Sequence, residues 1–250
     1  MTRYVLEGPD AAPVLLFASS LGTTHEMWDD QAAALRGEFR VLRYDHRGHG
    51  GSPVPPGPYS MQELAGDALA LLDRLEVERA TFVGLSIGGA VALTAALEAP
   101  ERFERLVLCS TAATFGPPEQ WPERAATVRA EGVEAVAPAA LERWLTPEAP
   151  EELRERLRAM LLATPREGYA GCCEALGGYD VRGRLGALTM PVLAIAGADD
   201  PTTPPDTMQT VVDEIPGARL HVLERARHIS NVERPEAFTR ALLSSVRAPR

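Results

Sequence analysis

The sequence contains no lysine; all 25 of its basic side chains are arginine. Schiff-base chemistry and a phosphate-loop lysine are both excluded. Cysteine is almost as scarce, with only Cys109, Cys172 and Cys173. They form no metal-ligand spacing, and the neighbours Cys172 and Cys173 could bridge only under strain, so the expected setting is a reducing, cytoplasmic one. Long apolar runs are missing too. The longest are of the size of 14–18 and 192–196, far short of a bilayer span, and the first residues lack the basic, apolar, small-residue order of a signal peptide. Neither membrane association nor export is expected. Positive charge is in deficit: the net charge is −10, so the overall field repels nucleic acid and anionic lipid. The arginines are spread along the chain without interleaved aromatics, so no nucleic-acid surface is expected, and an acidic substrate would need a local basic patch.

What is present fits one large folded unit. A chain of 250 residues, 45% hydrophobic and 24% charged, is too apolar to be disordered and can be a single α/β domain carrying an insertion. Short apolar runs at 14–18, 41–44, 81–83, 106–108, 192–196 and 220–223 alternate with amphipathic stretches. That is the pattern of strands crossing over through helices into a mostly parallel sheet. One short strand is expected ahead of the Gly8-Pro9-Asp10 turn. Ser60 and Glu63 form a capping box, after which Met61, Leu64, Ala68, Leu71, Leu72 and Leu75 recur at helical spacing. Further packing helices are expected at 87–98 and 235–246.

The alternation stops between about Ala113 and Arg184, where helical segments rich in Glu and Arg follow one another, separated by Pro and Gly. We read this as an inserted all-helical cap at 113–184, flanked by an N-terminal core part at 1–112 and a C-terminal core part at 185–250. No internal repeat or low-complexity tract is visible.

The most informative residues are Gly84-Leu85-Ser86-Ile87-Gly88, a G-x-S-x-G pattern between an expected strand and an expected helix. A sharp strand-to-helix bend there would expose Ser86 at the sheet edge, with glycines two positions either side giving room for the close approach. The alternative is a glycine-rich turn with an incidental serine. A serine hydroxyl needs a general base, and the chain has 5 histidines. His46 and His49 lie in the polar turn Asp45-His46-Arg47-Gly48-His49-Gly50 and read as structural or surface residues; His221 belongs to the last strand. His25 either lines the pocket or faces solvent. His228 follows the last strand by a short loop and should emerge at the same sheet edge as Ser86. The orienting acid comes from Gly197-Ala198-Asp199-Asp200-Pro201, with Asp200 favoured by the Gly-x-x-Asp-x-x-x-Pro spacing to Pro204 and Asp199 as the alternative. The chain order Ser, Asp, His matches that of α/β-hydrolases. Two backbone amides would hold the oxyanion: that of Ile87, after the nucleophile, and that of Leu21, in the loop Ser19-Ser20-Leu21-Gly22. This loop lacks the His-Gly pair common in such enzymes.

With these residues the chain resembles the 3-oxoadipate enol-lactonases, within the α/β-hydrolase superfamily, over nearly its whole length. The resemblance rests on Ser19-Ser20-Leu21-Gly22-Thr23 leading to Met27-Trp28-Asp29, the elbow around Ser86, the stretches Trp121-Pro122-Glu123-Arg124 and Glu142-Arg143-Trp144, and the tail His228-Ile229-Ser230-Asn231-Val232-Glu233. The chain begins close to Leu6, so a shortened sheet edge is expected. The resemblance implies an α/β-hydrolase fold and a small carboxylate-bearing lactone as substrate, opened by Ser86, His228 and Asp200 with no metal and no organic cofactor. In a protein of charge −10 the substrate carboxylate calls for a local cation. Arg143 and Arg124 are the candidates, because a planar guanidinium can hold a carboxylate bidentately; their alternative is to solvate helix faces. Trp144 either walls the pocket or belongs to the cap core. The competing functions are another esterase or lactonase with the same machinery, and a non-hydrolytic cyclase or isomerase on the same scaffold.

Overall fold

Leucine, valine and alanine runs with few polar interruptions form strands buried on both faces, and such strands need helices on either side. The computed structural model describes residues 1–247. Seven strands make one sheet: β1 (Tyr4–Glu7), β2 (Val14–Ala18), β3 (Arg40–Tyr44), β4 (Ala80–Leu85), β5 (Phe103–Cys109), β6 (Val192–Gly197) and β7 (Arg219–Leu223). Their order is β1-β3-β2-β4-β5-β6-β7, and every pairing is parallel except β1 with β3. The fold is therefore an α/β-hydrolase fold: a mostly parallel sheet flanked by helices, with a helical insertion. At the β1 end the sheet closes on a single strand of 4 residues.

The helices are α1 (Asp29–Leu35), α2 (Met61–Arg74), α3 (Ile87–Glu98), α4 (Gln120–Glu131), α5 (Ala137–Trp144), α6 (Glu151–Leu162), α7 (Arg166–Gly177), α8 (Pro205–Glu214), α9 (Ser230–Glu233) and α10 (Pro235–Val246). The Ser60–Glu63 capping box starts α2, and its buried residues include Met61, Leu64, Ala68, Leu71 and Leu72. Helices α1 and α8 were not legible as separate elements in the sequence. Helix α3 is buried along nearly its whole length, which its small residues permit. A Cβ on Gly88 would stand 2.3 Å from the Ala18 carbonyl oxygen, so only glycine lets the start of α3 press against the end of β2. That contact brings the loop after β2 alongside the bend before α3.

The insertion, α4 to α7, leaves the sheet after β5 and returns before β6. Its two ends are tied at the base by an antiparallel bridge between Thr114 and Asp180 and by the Val181 N–H donating to the Ala113 carbonyl at 2.9 Å. Among the described residues no helix is long and apolar enough to cross a membrane.

Candidate active site

Ser86 occupies the bend between β4 and α3 with φ 59° and ψ −118°. A non-glycine residue adopts this left-handed conformation only when its surroundings hold it there. They do: the Ser86 N–H donates to Cys109 O at 2.9 Å, and its carbonyl accepts from Thr111 Oγ1 at 2.8 Å and from Gly89 N at 2.9 Å. A Cβ on Gly84 would lie 2.2 Å from Gly88 O, so the G-x-S-x-G glycines are demanded by the tightness of the bend.

Beyond the C-terminal end of β6, Asp200 accepts a hydrogen bond from His228 Nδ1 at 2.9 Å. Thr203 Oγ1 (2.7 Å), Thr202 N (2.8 Å) and Thr203 N (3.2 Å) also donate to the same carboxylate. Burial pushes the Asp200 carboxyl up, but the charge of His228 and these donors outweigh it and hold the group at about 2. With Nδ1–H engaged by an ionised carboxylate, the proton-accepting nitrogen of neutral His228 is Nε2. Asp199 is exposed, so of the two neighbouring acids only Asp200 reaches the imidazole. Ser86 and His228 line one cavity of about 40 Å³ beneath the insertion. Among the described residues no direct hydrogen bond joins them.

Leu21 lines that cavity as well. In its loop the neighbouring amides are occupied. Ser20 N donates to Met27 Sδ at 3.4 Å, Gly22 N to His49 Nε2 at 2.9 Å, Thr23 N to Ser20 O at 3.2 Å, Thr24 N to Met160 Sδ at 3.2 Å and His25 N to Asp45 Oδ1 at 2.8 Å. The Leu21 N–H has no acceptor among the described residues. Nor does the Ile87 N–H, which opens α3 and so has no intrahelical partner. Leu21 thus lines the cavity of the serine, and Ile87 follows the serine in the chain.

The roof comes from the insertion. Trp121 and Arg124 of α4, Ala140, Arg143 and Trp144 of α5, and Tyr169 and Leu176 of α7 line the cavity. Among the described residues neither Arg124 nor Arg143 has a carboxylate within ion-pair distance. The Arg124 guanidinium lies 4.8 Å over the Trp121 ring. Burial and the nearby positive charge of Arg124 lower the Arg143 pKa, with the charge of Glu142 acting the other way. A second cavity of about 330 Å³ adjoins the first and shares Trp121, Arg124, Arg143 and Thr202 with it.

Of the residues expected at the site, Ser86, His228, Leu21, Trp144, Arg143 and Arg124 line this cavity, Asp200 pairs with His228, and Ile87 follows Ser86 in the chain. Trp144 is both a cavity wall and 5% exposed, so its two alternatives are one. His25 is not in the lining; its Nδ1 pairs with Asp45 Oδ1 at 2.8 Å. His46 and His49 are buried, not surface residues: the turn that carries them packs under the loop 19–24. Trp121, Tyr169, Leu176 and Thr202 were missed as site residues. For Trp121, Tyr169 and Leu176 the signal was helical spacing, Trp121 with Arg124 and Tyr169 with Leu176, which marks a face but not what it faces, whereas Thr202 lies outside any helix. Among the described residues no three His, Cys, Asp or Glu side chains gather where they could hold a metal ion.

A family model described as the alpha/beta hydrolase fold matches residues 13–235. The 3-oxoadipate enol-lactonase 2 of Acinetobacter baylyi is 43% identical over 243 residues, which cover 96% of this chain and 91% of the relative. The crystal structure of the enol-lactonase from Burkholderia xenovorans LB400 superposes with a TM-score of 0.96 at 41% identity, covering 99% of this chain and 96% of that one. A thermophilic esterase from Thermogutta terrifontis, with malate bound, superposes with a TM-score of 0.94 at 31% identity, covering 98% of this chain and 93% of that one. The chain belongs to the α/β-hydrolase superfamily and, within it, to the family of the 3-oxoadipate enol-lactonases.

Proposed function

We propose that this hydrolase opens a small carboxylate-bearing lactone, 3-oxoadipate enol-lactone, to 3-oxoadipate through an acyl-enzyme on Ser86. The observation that carries the reading is the pair Arg124 and Arg143, free of carboxylate partners, in the cavity that Ser86 and His228 also line. Two half-buried cations set close together repel each other, and a substrate carboxylate between them would relieve that repulsion. The named activity of the Acinetobacter and Burkholderia relatives and the dicarboxylate on the Thermogutta esterase support the same substrate class.

In this reading the cap is 113–184 on a core formed by 1–112 and 185–250. Arg124 and Arg143 hold the substrate carboxylate, and Trp144 forms the wall beside it. His228 Nε2 takes the Ser86 proton as Oγ attacks the ring carbonyl, and Asp200 stabilises the imidazolium. The oxyanion accepts from the Leu21 and Ile87 amides. On collapse the ring C–O bond breaks and His228 returns the proton to the leaving enol oxygen. The enol tautomerises to a ketone, which makes reclosure unfavourable. Water, deprotonated by His228, then attacks the acyl carbon, and Ser86 leaves with the proton. This sequence of steps calls for no metal and no organic cofactor. We place the reaction in aromatic degradation in the cytoplasm.

The test is a substrate panel with Ser86→Ala beside the parent protein. Removing a triad nucleophile costs about 10⁶ in kcat. Loss of turnover together with a strong preference for the enol-lactone over neutral nitrophenyl esters is the expected result. Retained activity in Ser86→Ala would point to a non-hydrolytic role, and a preference for the neutral esters would overturn the substrate.

A further inference from the structure

The loop that carries Leu21 is gripped by the turn after β3. His46 Nε2 donates to the Ser19 carbonyl at 2.9 Å, and His49 Nε2 accepts the Gly22 N–H at 2.9 Å, all of it buried. A backbone amide can only donate, so His49 Nε2 carries no proton and its Nδ1–H points at the Arg47 carbonyl, 3.3 Å away. The imidazole is neutral by the logic of its partners. Burial and the neighbouring His46 ring agree, holding its pKa down at about 4.

Two peptide planes flank Leu21: the first carries its N–H, and the second anchors its other side. In the first, Ser20–Leu21, the carbonyl accepts from Thr23 N at 3.2 Å and from Thr23 Oγ1 at 2.8 Å. Because the peptide is planar and trans, fixing that carbonyl sends the Leu21 N–H the opposite way. The second plane, Leu21–Gly22, is fixed by the bond from Gly22 N to His49. Without it the loop could swing about Leu21, since Gly22 has φ 78° and the freedom of a residue with no side chain.

We infer that His49 is a positioning residue for acyl transfer: its neutral imidazole locks the Leu21–Gly22 peptide and thereby aims the Leu21 amide at the oxyanion. This inference rests on the acyl-enzyme reading of Ser86. His49 touches no substrate; it acts through the backbone.

Asparagine and glutamine separate its two nitrogens. His49→Asn reproduces the Nδ1 position and loses the acceptor for Gly22, whereas His49→Gln places an amide oxygen near the Nε2 position. The readouts are kcat and KM on 4-nitrophenyl acetate, binding of an aryl trifluoromethyl ketone, which forms an oxyanion on the serine, and inhibition by adipate, which does not. For His49→Asn, kcat falls about 10- to 100-fold, KM stays within about 2-fold, and ketone affinity falls with kcat while adipate inhibition is unchanged. His49→Gln recovers most of kcat. If His49→Asn does not fold, His49→Phe fills the ring volume without an acceptor and takes its place. Unchanged kcat in the acceptor-free variant, equal losses in it and His49→Gln, or a fall in kcat without a fall in ketone affinity would each overturn the inference. Ser86→Ala is measured alongside. If that variant still turns over the ester, the acyl-enzyme reading fails. If it is inactive while His49→Asn matches the parent, only the role of His49 fails.

Discussion

The His228 N–H donates to the Arg143 carbonyl at 3.4 Å, so the proposed general base and a proposed carboxylate-binding residue are joined through their backbones. The Ile229 N–H likewise reaches Trp144 O at 3.2 Å, and the Arg227 guanidinium reaches the carbonyls of Glu142 and Leu145. The last turn of α5, whose carbonyls have no helical partners, is thus capped by the histidine loop. Glu233 completes the clasp: its carboxylate accepts Thr146 N–H at 2.7 Å, the Thr146 hydroxyl and Arg227 N–H at 2.8 Å.

Glu233→Ala leaves those buried donors without an acceptor. An unsatisfied buried donor costs about 1–3 kcal/mol, so a loss of about 2–4 kcal/mol is expected, or roughly 5–15 °C in Tm for a chain of this size. Thermal unfolding beside kcat checks it. A Tm within about 2 °C of the parent would mean that water replaces the clasp at little cost.

Arg143→Ala and Arg124→Ala each remove one cation from the roof. A hydrogen bond to a charged group contributes about 1.5–3 kcal/mol, so KM for the carboxylate-bearing lactone should rise about 10- to 100-fold. KM for a neutral ester should change little. Equal effects on both substrates would make the arginines structural.

The buried turn after β3 sets an acid limit on stability. Burial and His46 lower the His49 pKa to about 4 from its ordinary value of 6.5, and His46 is shifted down as well. Between pH 6.5 and 4 the unfolded chain therefore takes up protons that the native state refuses, and stability falls as pH falls. The slope from one such group is at most about 1.4 kcal/mol per pH unit. Unfolding midpoints measured from pH 7 to 4 should drop more steeply in the parent than in His49→Gln; parallel curves would show that His49 does not contribute.

Gly88→Ala tests the contact between α3 and β2. The added methyl would meet the Ala18 carbonyl oxygen at 2.3 Å, a backbone atom with nowhere to go. Overpacking of this kind costs about 1–3 kcal/mol or more, and it also moves the Ile87 amide. Loss of both Tm and kcat is expected, and a variant as stable and active as the parent would show that the two elements can separate freely.

Much of this was legible in the sequence because it is local. The bend at Ser86 needs its glycines two residues away, the Ser60 cap needs Glu63 three residues on, and strand-forming runs declare themselves by composition. Even the choice of Asp200 over Asp199 followed from a short spacing. Arg124, Arg143 and Trp144 were nameable, but not their alternatives' resolution: whether a cap arginine solvates a helix or faces a cavity depends on what lies opposite it.

The order of strands, helices and chemical groups along the chain was set by residue type and short-range spacing, where the physics acts within a few residues. Only the folded structure decided that the Leu21 amide of the loop 19–24 stays free, because that depends on acceptors from Met27, His49 and Met160 converging on its neighbours. Only it joined Glu233 to Thr146, 87 residues apart. Hydrogen bonds between distant segments leave no periodicity in a sequence; they exist because packing the core first brings their donors and acceptors into reach.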